Sequence, residues 1–152
     1  APICAFLKEG IKVGIGTDGA GSNNCLDFFR EMFLVTALQK LQQEDASACD
    51  ALEVLKMACV NGAELMALPD CNGIAPGKQA DLTLLDLSHP NMQPENNILK
   101  NVVDSVSKQN VRLTMVAGRV LYEEGRFPTV EDPEKIYRDS TAIIRRIERE
   151  VG

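Results

Sequence analysis

The chain contains no tryptophan and only one histidine, and aromatic residues make up 5% of its 152 residues. It has no apolar run near the roughly 20 residues that a helix needs to cross a bilayer. A basic segment followed by an apolar one, as in an export signal, is also missing. Acidic residues outnumber basic ones by 22 to 16, whereas a phosphate-binding surface needs clustered lysine and arginine. We therefore expect neither a membrane nor a nucleic acid as partner.

The five cysteines are an odd number, lie far apart and include no C-x-x-C pair. This pattern argues against a disulfide framework and against a cysteine-based zinc site. A reduced cysteine in a helical, apolar stretch usually behaves as a small hydrophobic residue. The cysteines therefore indicate a reducing compartment, and we expect a cytoplasmic protein.

Hydrophobic residues make up 45% of the chain and charged residues 25%, the balance of a globular protein. Residues 1–68 alternate helical and strand patterns. Pro2–Glu9 has the pattern of a helix end that Gly10 closes, and Ile11–Ile15 is a β-branched run typical of a buried parallel strand. Helix, buried strand, turn and helix in this order are typical of an α/β protein.

Two longer helices are predicted in the same region. Ser22 or Asn23 can cap the first helix. Its apolar stripe is Leu26, Phe29, Phe33, Ala37 and Leu41. Ser47 can cap the second helix, with Asp50 as the carboxylate partner of a capping box. The apolar stripe of that helix is Leu52, Leu55 and Cys59. Asn61-Gly62 is predicted to break it, and a short helical segment is predicted to continue to Leu68.

The pattern changes at about residue 69. Leu82–Leu85 is a short apolar strand, and Val111–Val116 and Arg119–Tyr122 are two strands joined by the two-residue turn Ala117-Gly118. The stretch between them, from Ser88 to Asn101, is predicted to be polar connection. Residues 128–152 are predicted to form one helix that Asp132 caps.

The stretch Gly14–Asn24 is rich in glycine and polar side chains and follows the predicted strand directly. It leaves Asp18 at the carboxyl end of that strand, which is the edge where open α/β sheets and barrels bind ligands. A carboxylate there can ligate a divalent metal or accept a proton from an attacking water. The alternative is an Asx turn that only connects strand and helix. A phosphate-binding loop is disfavoured, since neither G-x-x-x-x-G-K-[ST] nor a complete G-x-G-x-x-G occurs.

Three blocks in order carry a family resemblance over roughly residues 1–127. Val13–Gly19, with Ser22-Asn23-Asn24 and Leu26-Asp27, resembles the last barrel strand and following helix of the amidohydrolase superfamily. Met57–Ala63 resembles the helix after its barrel, and Gly73–Leu82 with Val116–Leu121 resembles the return into its small β-sandwich. The branch that it resembles includes S-adenosylhomocysteine and methylthioadenosine deaminases, guanine deaminase and triazine chlorohydrolases.

The resemblance implies an α/β fold in three parts. Residues 1–68 would supply the terminal strand and helices of a (β/α)8 barrel, residues 69–127 a portion of a composite antiparallel β-sandwich, and residues 128–152 a C-terminal helix. It also implies one divalent metal, zinc or iron, held by histidines of earlier strands and by Asp18. Asp18 would then be both metal ligand and catalytic base, which deprotonates the attacking water and passes the proton to the leaving amine. Ser22 and Asn23 are interpreted as helix caps first and as substrate-binding residues second.

The chain departs from the family pattern because its single histidine, His89, belongs to no His-x-His pair. His89 aligns with the sandwich connection rather than with a barrel strand. One carboxylate cannot hold a zinc ion that needs three or four protein ligands. We therefore expect a part of a larger enzyme that holds no metal alone, is inactive alone, needs its missing N-terminal barrel half and self-associates.

The expected function of the full-length protein is hydrolysis of a non-peptide C–N bond in a small molecule, with an adenine-type nucleoside as the favoured substrate. Chlorotriazines, guanine and other cyclic amides stay open, since barrel enzymes set their substrate through loops after earlier strands. The alternative is a non-catalytic folding or assembly module derived from the C-terminal half. It is disfavoured because a lone strand at Ile11–Ile15 would have unpaired backbone edges and the stripe through Phe29 and Phe33 would face no partner.

Overall fold

Six α-helices and one three-stranded antiparallel sheet make up the fold, which a computed structural model describes over residues 1–152. The helices are α1 (Ile3–Lys8), α2 (Phe28–Gln43), α3 (Ala51–Lys56), α4 (Gly62–Leu65), α5 (Ile98–Asp104) and α6 (Pro133–Val151). The strands are β1 (Leu82–Leu85), β2 (Val111–Val116) and β3 (Arg119–Glu123). A π-helical turn, Met57–Asn61, joins α3 to α4, and 3-10 turns lie at Pro69–Cys71, Pro90–Met92 and Lys108–Asn110. None of the helices has both the length and the hydrophobicity that crossing a bilayer demands.

The hydrophobic core lies among α2, α3 and α5. Its buried members are Met32, Ala51, Val54, Met57 and Val103. Half-buried side chains of α1 and of residues 13–15 pack against this cluster from one side. Because full burial of a large apolar side chain is worth about 1.5–3 kcal/mol, this cluster is the main source of stability for the first 65 residues.

Helix α5 lies where the sequence predicts polar connection, so that prediction is wrong. The side chain of Asn97 caps α5 by accepting a hydrogen bond from the backbone N–H of Lys100 at 3.0 Å. Val103 is fully buried in the core between α2 and α3. Val103 is the one residue of α5 that is buried, and it lies just after the predicted connection, whereas Ile98 and Leu99 within that connection are exposed.

The predicted starts of α2 and α3 are also wrong. Asp27, not Ser22 or Asn23, caps α2 and accepts hydrogen bonds from the N–H groups of Phe29 and Arg30. Asp50 caps α3 by itself, while the hydroxyl and N–H of Ser47 bond to Asp45 in the preceding turn. Serine, asparagine and aspartate cap helices almost equally well, so packing decides among neighbouring candidates. The predicted break at Asn61-Gly62 is wrong, because the helix continues through the π-helical turn. The short helical segment predicted after it is observed as α4, which ends at Leu65 rather than at Leu68.

Helix α2 buries a different face from the predicted stripe. Of the predicted stripe, Phe29 packs against the core, but Leu26, Phe33 and Leu41 are exposed. The buried residues of α2 are Met32, Thr36 and Gln39. The two polar residues find partners there, which removes the penalty for burying them. The Gln39 amide donates to the carbonyl of Ala1 and accepts from the N–H of Cys4, both at 3.0 Å.

Residues 11–15 do not form the predicted strand within this chain. They have no regular secondary structure, and no backbone–backbone hydrogen bond involves residues 12–18. Val13 and Ile15 nevertheless pack against the core. A strand needs a neighbouring strand to bond with, and the sheet of this chain is built only from residues 82–123.

The sheet and its turn agree with the sequence prediction. Strand β2 lies between β1 and β3 and is antiparallel to both, with Leu113 opposite Leu84 and Thr114 opposite Tyr122. Ala117 and Gly118 have φ values of 51° and 75°. Two positive values in a two-residue hairpin loop are typical of a type I′ turn, whose twist matches that of the flanking strands.

The C-terminal helix α6 is also confirmed. Asp132 caps it by accepting a hydrogen bond from the N–H of Lys135 at 3.0 Å, and Pro133 occupies its first turn. No residue of α6 is buried, and Ile136, Ile143 and Ile147 are each 44–51% exposed. The α/β class, the antiparallel sheet and this helix are thus observed, while the division at residues 68 and 127 stays a prediction.

Candidate functional site

The site begins with the way residues 13 and 14 lie against the helix that carries the π-helical turn. The Asn61 side-chain amide donates to the carbonyl oxygen of Val13 at 3.0 Å. A Cβ added to Gly14 would lie 3.1 Å from Leu65 Cδ1 and 3.5 Å from the Cα of Gly62. Glycine at position 14 therefore lets the segment approach this helix closely, and Asn61 supplies one of the few hydrogen bonds that its backbone receives.

Asp18 follows this segment in a strained but locally stabilised conformation. Its φ of 59° lies in the left-handed region, which aspartate tolerates better than most residues. One carboxylate oxygen accepts a hydrogen bond from the N–H of Gly19 at 2.7 Å. This bond, together with one from the Ser22 hydroxyl, lowers the pKa of Asp18 below its ordinary value. Asp18 is therefore an ionised, exposed carboxylate at neutral pH.

Ser22 and Asn23 lie in the loop before α2 and do not cap that helix. The Ser22 hydroxyl is exposed and lies 3.3 Å from the carbonyl oxygen of Gly19. Asn23 is half-buried, and its amide nitrogen donates to the Thr17 carbonyl at 2.7 Å and to Glu31 Oε1 at 3.0 Å. Its side-chain oxygen accepts from the N–H of Cys25 at 3.0 Å. The structure thus brings all three predicted site residues into one loop.

This loop by itself does not fit a metal ion. The chain contains no group of three or more histidine, cysteine, aspartate or glutamate side chains placed to hold one. His89 follows β1 and lies 3.7 Å from the Asp86 carboxylate, in the sheet region rather than beside Asp18. Asp18 can therefore contribute one ligand, and a stable site needs two or three more from outside this chain.

Lys78 and Asp81 have structural partners that account for them. Lys78 donates to the carbonyl of Pro69 at 2.7 Å. The Asp81 carboxylate accepts the N–H of Ala117 at 2.6 Å, which lowers its pKa and ties the start of β1 to the hairpin turn. These contacts give both residues structural roles, Lys78 in the turn before β1 and Asp81 at the start of that strand.

Two residues of this site, Asn61 and Glu31, were not predicted from the sequence. Asn61 has the pattern of a helix break, because Asn-Gly pairs are typical of turns. The signal that could have found it is its place in the block Met57–Ala63, which carries the family resemblance. Glu31 resembles any acidic residue in the first turn of a helix, and only the fold shows that it accepts a hydrogen bond from Asn23.

Comparison with known proteins agrees with the family resemblance of the sequence over most of the chain. The sequence pattern of the Amidohydrolase family matches residues 1–121. A 5-methylthioadenosine/S-adenosylhomocysteine deaminase from Nitratidesulfovibrio vulgaris is 48% identical over 133 residues, which are 88% of this chain and 30% of that protein. A 5'-deoxyadenosine deaminase from Methanothermobacter thermautotrophicus is 39% identical over 132 residues, or 87% of this chain and 31% of that protein.

Solved structures agree in fold. A zinc-bound adenosine deaminase from Xanthomonas campestris superposes with a TM-score of 0.92 at 31% identity. The superposition covers 98% of this chain and 34% of the deaminase chain. A zinc complex of an atrazine chlorohydrolase from Arthrobacter aurescens superposes with a TM-score of 0.85 at 27% identity, covering 95% and 32%. The chain spans about a third of the length of these proteins. The family resemblance is confirmed, and the chain belongs to the amidohydrolase family.

Proposed function

We propose that this chain is part of a metal-dependent amidohydrolase that deaminates an adenine-type nucleoside, with Asp18 as a catalytic residue. The observation that carries the proposal is the geometry of Asp18. It is an ionised, exposed carboxylate at the end of residues 12–18, which make no backbone–backbone hydrogen bond. The names of the related deaminases support the substrate class. The chain alone is proposed to be inactive.

The chemistry assigned to Asp18 is proton transfer. Its lowered pKa keeps the carboxylate free to accept a proton from the attacking water and to pass it to the leaving amine. The same charge makes it a suitable ligand for a divalent cation. When bound, such a cation would lower the pKa of water and so supply the nucleophile near neutral pH. Zinc is favoured over iron because two of the solved relatives contain zinc.

A role of Ser22 and Asn23 in binding the substrate stays a prediction. Ser22 is the better placed of the two, because its hydroxyl is exposed and lies beside the Asp18 carboxylate. Both ends of the Asn23 amide are already used within the loop, which leaves it little capacity to bind a substrate.

The missing partner is proposed to be the N-terminal barrel half of the same enzyme. Residues 12–18 have unpaired backbone groups that neighbouring barrel strands would satisfy. The exposed apolar residues Phe33, Leu38 and Leu41 of α2 argue in the same direction. For the chain alone we propose self-association through these surfaces, which light scattering would detect as a mass above that of a monomer. A cytoplasmic location also stays a proposal, supported by five free cysteines.

The test is Asp18→Asn in the full-length, zinc-loaded protein, with ammonia release from adenosine, 5'-deoxyadenosine and methylthioadenosine as the measurement. We expect kcat to fall by about 10²- to 10⁴-fold, the usual contribution of a positioned general base. Asp45→Asn is the matched control, because Asp45 is also an aspartate of lowered pKa in a surface turn. It is expected to leave kcat unchanged.

Three outcomes would contradict the proposal. Equal rates for Asp18→Asn and wild type would reduce Asp18 to a turn residue. Activity only toward a chlorotriazine or guanine would remove the substrate assignment while leaving Asp18 in place. Absence of any hydrolysis by the complete protein, together with a monomeric 152-residue chain, would favour the non-catalytic module.

A further inference from the structure

We propose that Asn23, supported by Glu31, is the positioning residue that sets where the Asp18 carboxylate points. This inference rests on the catalytic role proposed for Asp18. It concerns the side-chain hydrogen bonds by which Asn23 connects the Thr17 carbonyl to Glu31 of helix α2. No backbone–backbone hydrogen bond holds residues 12–18 in their place.

The need for such a link follows from the backbone of residues 12–18. No main-chain group in this stretch bonds to another main-chain group. Only two of its carbonyl oxygens accept hydrogen bonds from side-chain amides, that of Val13 from Asn61 and that of Thr17 from Asn23. The Thr17 carbonyl belongs to the peptide that leads directly into Asp18. Asn23 therefore holds the peptide that leads into Asp18, and the orientation of this peptide contributes to the direction of the Asp18 side chain.

The conformation of Asp18 makes this hold necessary. A residue other than glycine with positive φ persists where its surroundings determine its conformation from both sides. On the far side of Asp18, the N–H of Gly19 bonds to the carboxylate at 2.7 Å. On the near side, Asn23 bonds to the Thr17 carbonyl at 2.7 Å. Without the near-side bond, the remaining contacts that favour the observed geometry all come from residues of the loop itself, namely Thr17, Gly19 and Ser22.

Asn23 is chemically matched to its three partners. Its nitrogen has two protons, which the Thr17 carbonyl and Glu31 Oε1 accept, and its oxygen accepts the N–H of Cys25. Aspartate would keep the acceptor, lose both donors and place a second negative charge beside Glu31. An asparagine with all its hydrogen-bonding groups in use is well suited to positioning another residue.

Glu31 connects the loop to the rigid part of the fold. It lies in the first turn of α2 and precedes Met32, a core residue that is 3% exposed. The hydrogen bond from Asn23 to Glu31 at 3.0 Å thus ties the Thr17–Asp18 peptide to a helix whose position the core fixes. Partners one step removed from a metal ligand typically change metal affinity or activity by about 10- to 100-fold when they are lost.

The experiment measures zinc affinity of the full-length apoprotein by competition with a chromogenic chelator, and kcat and KM in parallel. Asn23→Ala is expected to raise the zinc dissociation constant and to lower kcat, each by about 10- to 100-fold, with KM changed less than about threefold. Asn24→Ala is the matched control, since Asn24 is exposed and makes no side-chain hydrogen bond. It should leave all three values unchanged.

The Glu31 variants provide a second arm that does not depend on the stability of Asn23→Ala. Glu31→Gln keeps an oxygen that accepts from Asn23 and should stay within about threefold of wild type. Glu31→Ala removes that oxygen and should weaken zinc binding in the same direction as Asn23→Ala. A purely structural role for the loop would instead lower the melting temperature and leave zinc affinity and kcat per folded molecule unchanged.

Asp18→Asn serves as the reference that separates the two proposals. If it weakens zinc binding while Asn23→Ala and Glu31→Ala do not, the positioning role is wrong and the function assigned to Asp18 stands. If Asp18→Asn leaves zinc affinity and kcat unchanged, both proposals fall together. Weakening by all three variants, with Glu31→Gln close to wild type, supports the positioning pair.

Discussion

Residues 12–18 and the β2–β3 hairpin show opposite ways of holding a short segment. The hairpin satisfies its backbone locally, because each strand bonds to its neighbour across a type I′ turn. Residues 12–18 pack apolar side chains on the core but have no main-chain partner in this chain. The candidate catalytic carboxylate lies on the second kind of segment. The candidate carboxylate therefore lies where the chain alone supplies no main-chain partner.

Hydrogen exchange should give the largest difference between the two regions. In the 152-residue chain, diluted until it is monomeric, amides of Lys12–Asp18 are expected to exchange at least about 10³-fold faster than those of Leu113 and Met115 in the central strand. The reason is that an amide without a bonded partner needs no opening event, whereas a paired one needs local or global unfolding. Mass spectrometry of exchanged peptides measures both regions in one sample. Equal protection would show that residues 12–18 have a partner, and adding the N-terminal half should slow their exchange.

The core beneath residues 12–18 can be tested by creating a cavity at Met57. Met57 is 1% exposed in the cluster that Val13 and Ile15 pack against. Met57→Ala is expected to lower the free energy of unfolding by about 2–5 kcal/mol, as measured by urea denaturation. Met66→Ala makes the same chemical change at a residue that is 72% exposed, and its effect should stay within about 0.5 kcal/mol. Similar losses for the two variants would mean that Met57 does not belong to the core.

The hairpin region has its own buried support in Asn110, which precedes β2 and is fully buried. Its amide donates to the carbonyl of Asp86 at 3.1 Å, and its oxygen accepts the N–H of Ser107 at 3.1 Å. Asn110→Ala leaves these groups unpaired and should lower the free energy of unfolding by about 1–3 kcal/mol. Faster exchange should appear first in β2. The exposed Asn24→Ala is the control, and a neutral Asn110→Ala would show that water replaces the lost bonds.

Acid should weaken the hairpin side through Asp86, with the smallest expected effect. Hydrogen bonds from Ser88 and then from Arg112 of β2 lower the pKa of Asp86 to about 2. A folded-state pKa below the unfolded value of about 3.9 means that ionised Asp86 stabilises the fold. This contribution is complete above about pH 4 and is lost as the pH falls toward 2. Urea midpoints should therefore fall less steeply across this window for Asp86→Asn than for wild type, and parallel curves would contradict the assignment.

The sequence predicts the locally complete elements well. The β2–β3 hairpin with its Ala117-Gly118 turn and α6 with its Asp132 cap depend on residues close in sequence, and β1, which pairs with the more distant β2, still has the apolar pattern of a strand. The sequence also places Asp18 between an apolar run and a helix. The three candidate site residues, Asp18, Ser22 and Asn23, are therefore expected in one loop. Such features follow from periodicity and turn chemistry.

The errors concern elements whose form depends on distant partners. Ser22, Asn23 and Asp27 are about equally suited to cap α2, as Ser47 and Asp50 are to cap α3. Only the packing of the folded chain decides that Asp27 and Asp50 are the caps. The buried face of α2 includes Gln39 because α1 lies there, which no periodicity in α2 reveals. Residues 11–15 have the composition of a strand, but strand formation requires a neighbour that this chain does not contain.

The π-helical turn between α3 and α4 determines which side chain reaches Val13. Such a turn adds one residue to a helix, and each residue advances the winding by about 100°. If the helix wound regularly through these same residues, every position after the turn would be rotated by about that angle. The Asn61 amide would then face away from Val13, and the close seat of Gly14 against Gly62 would be lost. One additional residue in a helix thus sets the register between that helix and the segment that leads to Asp18.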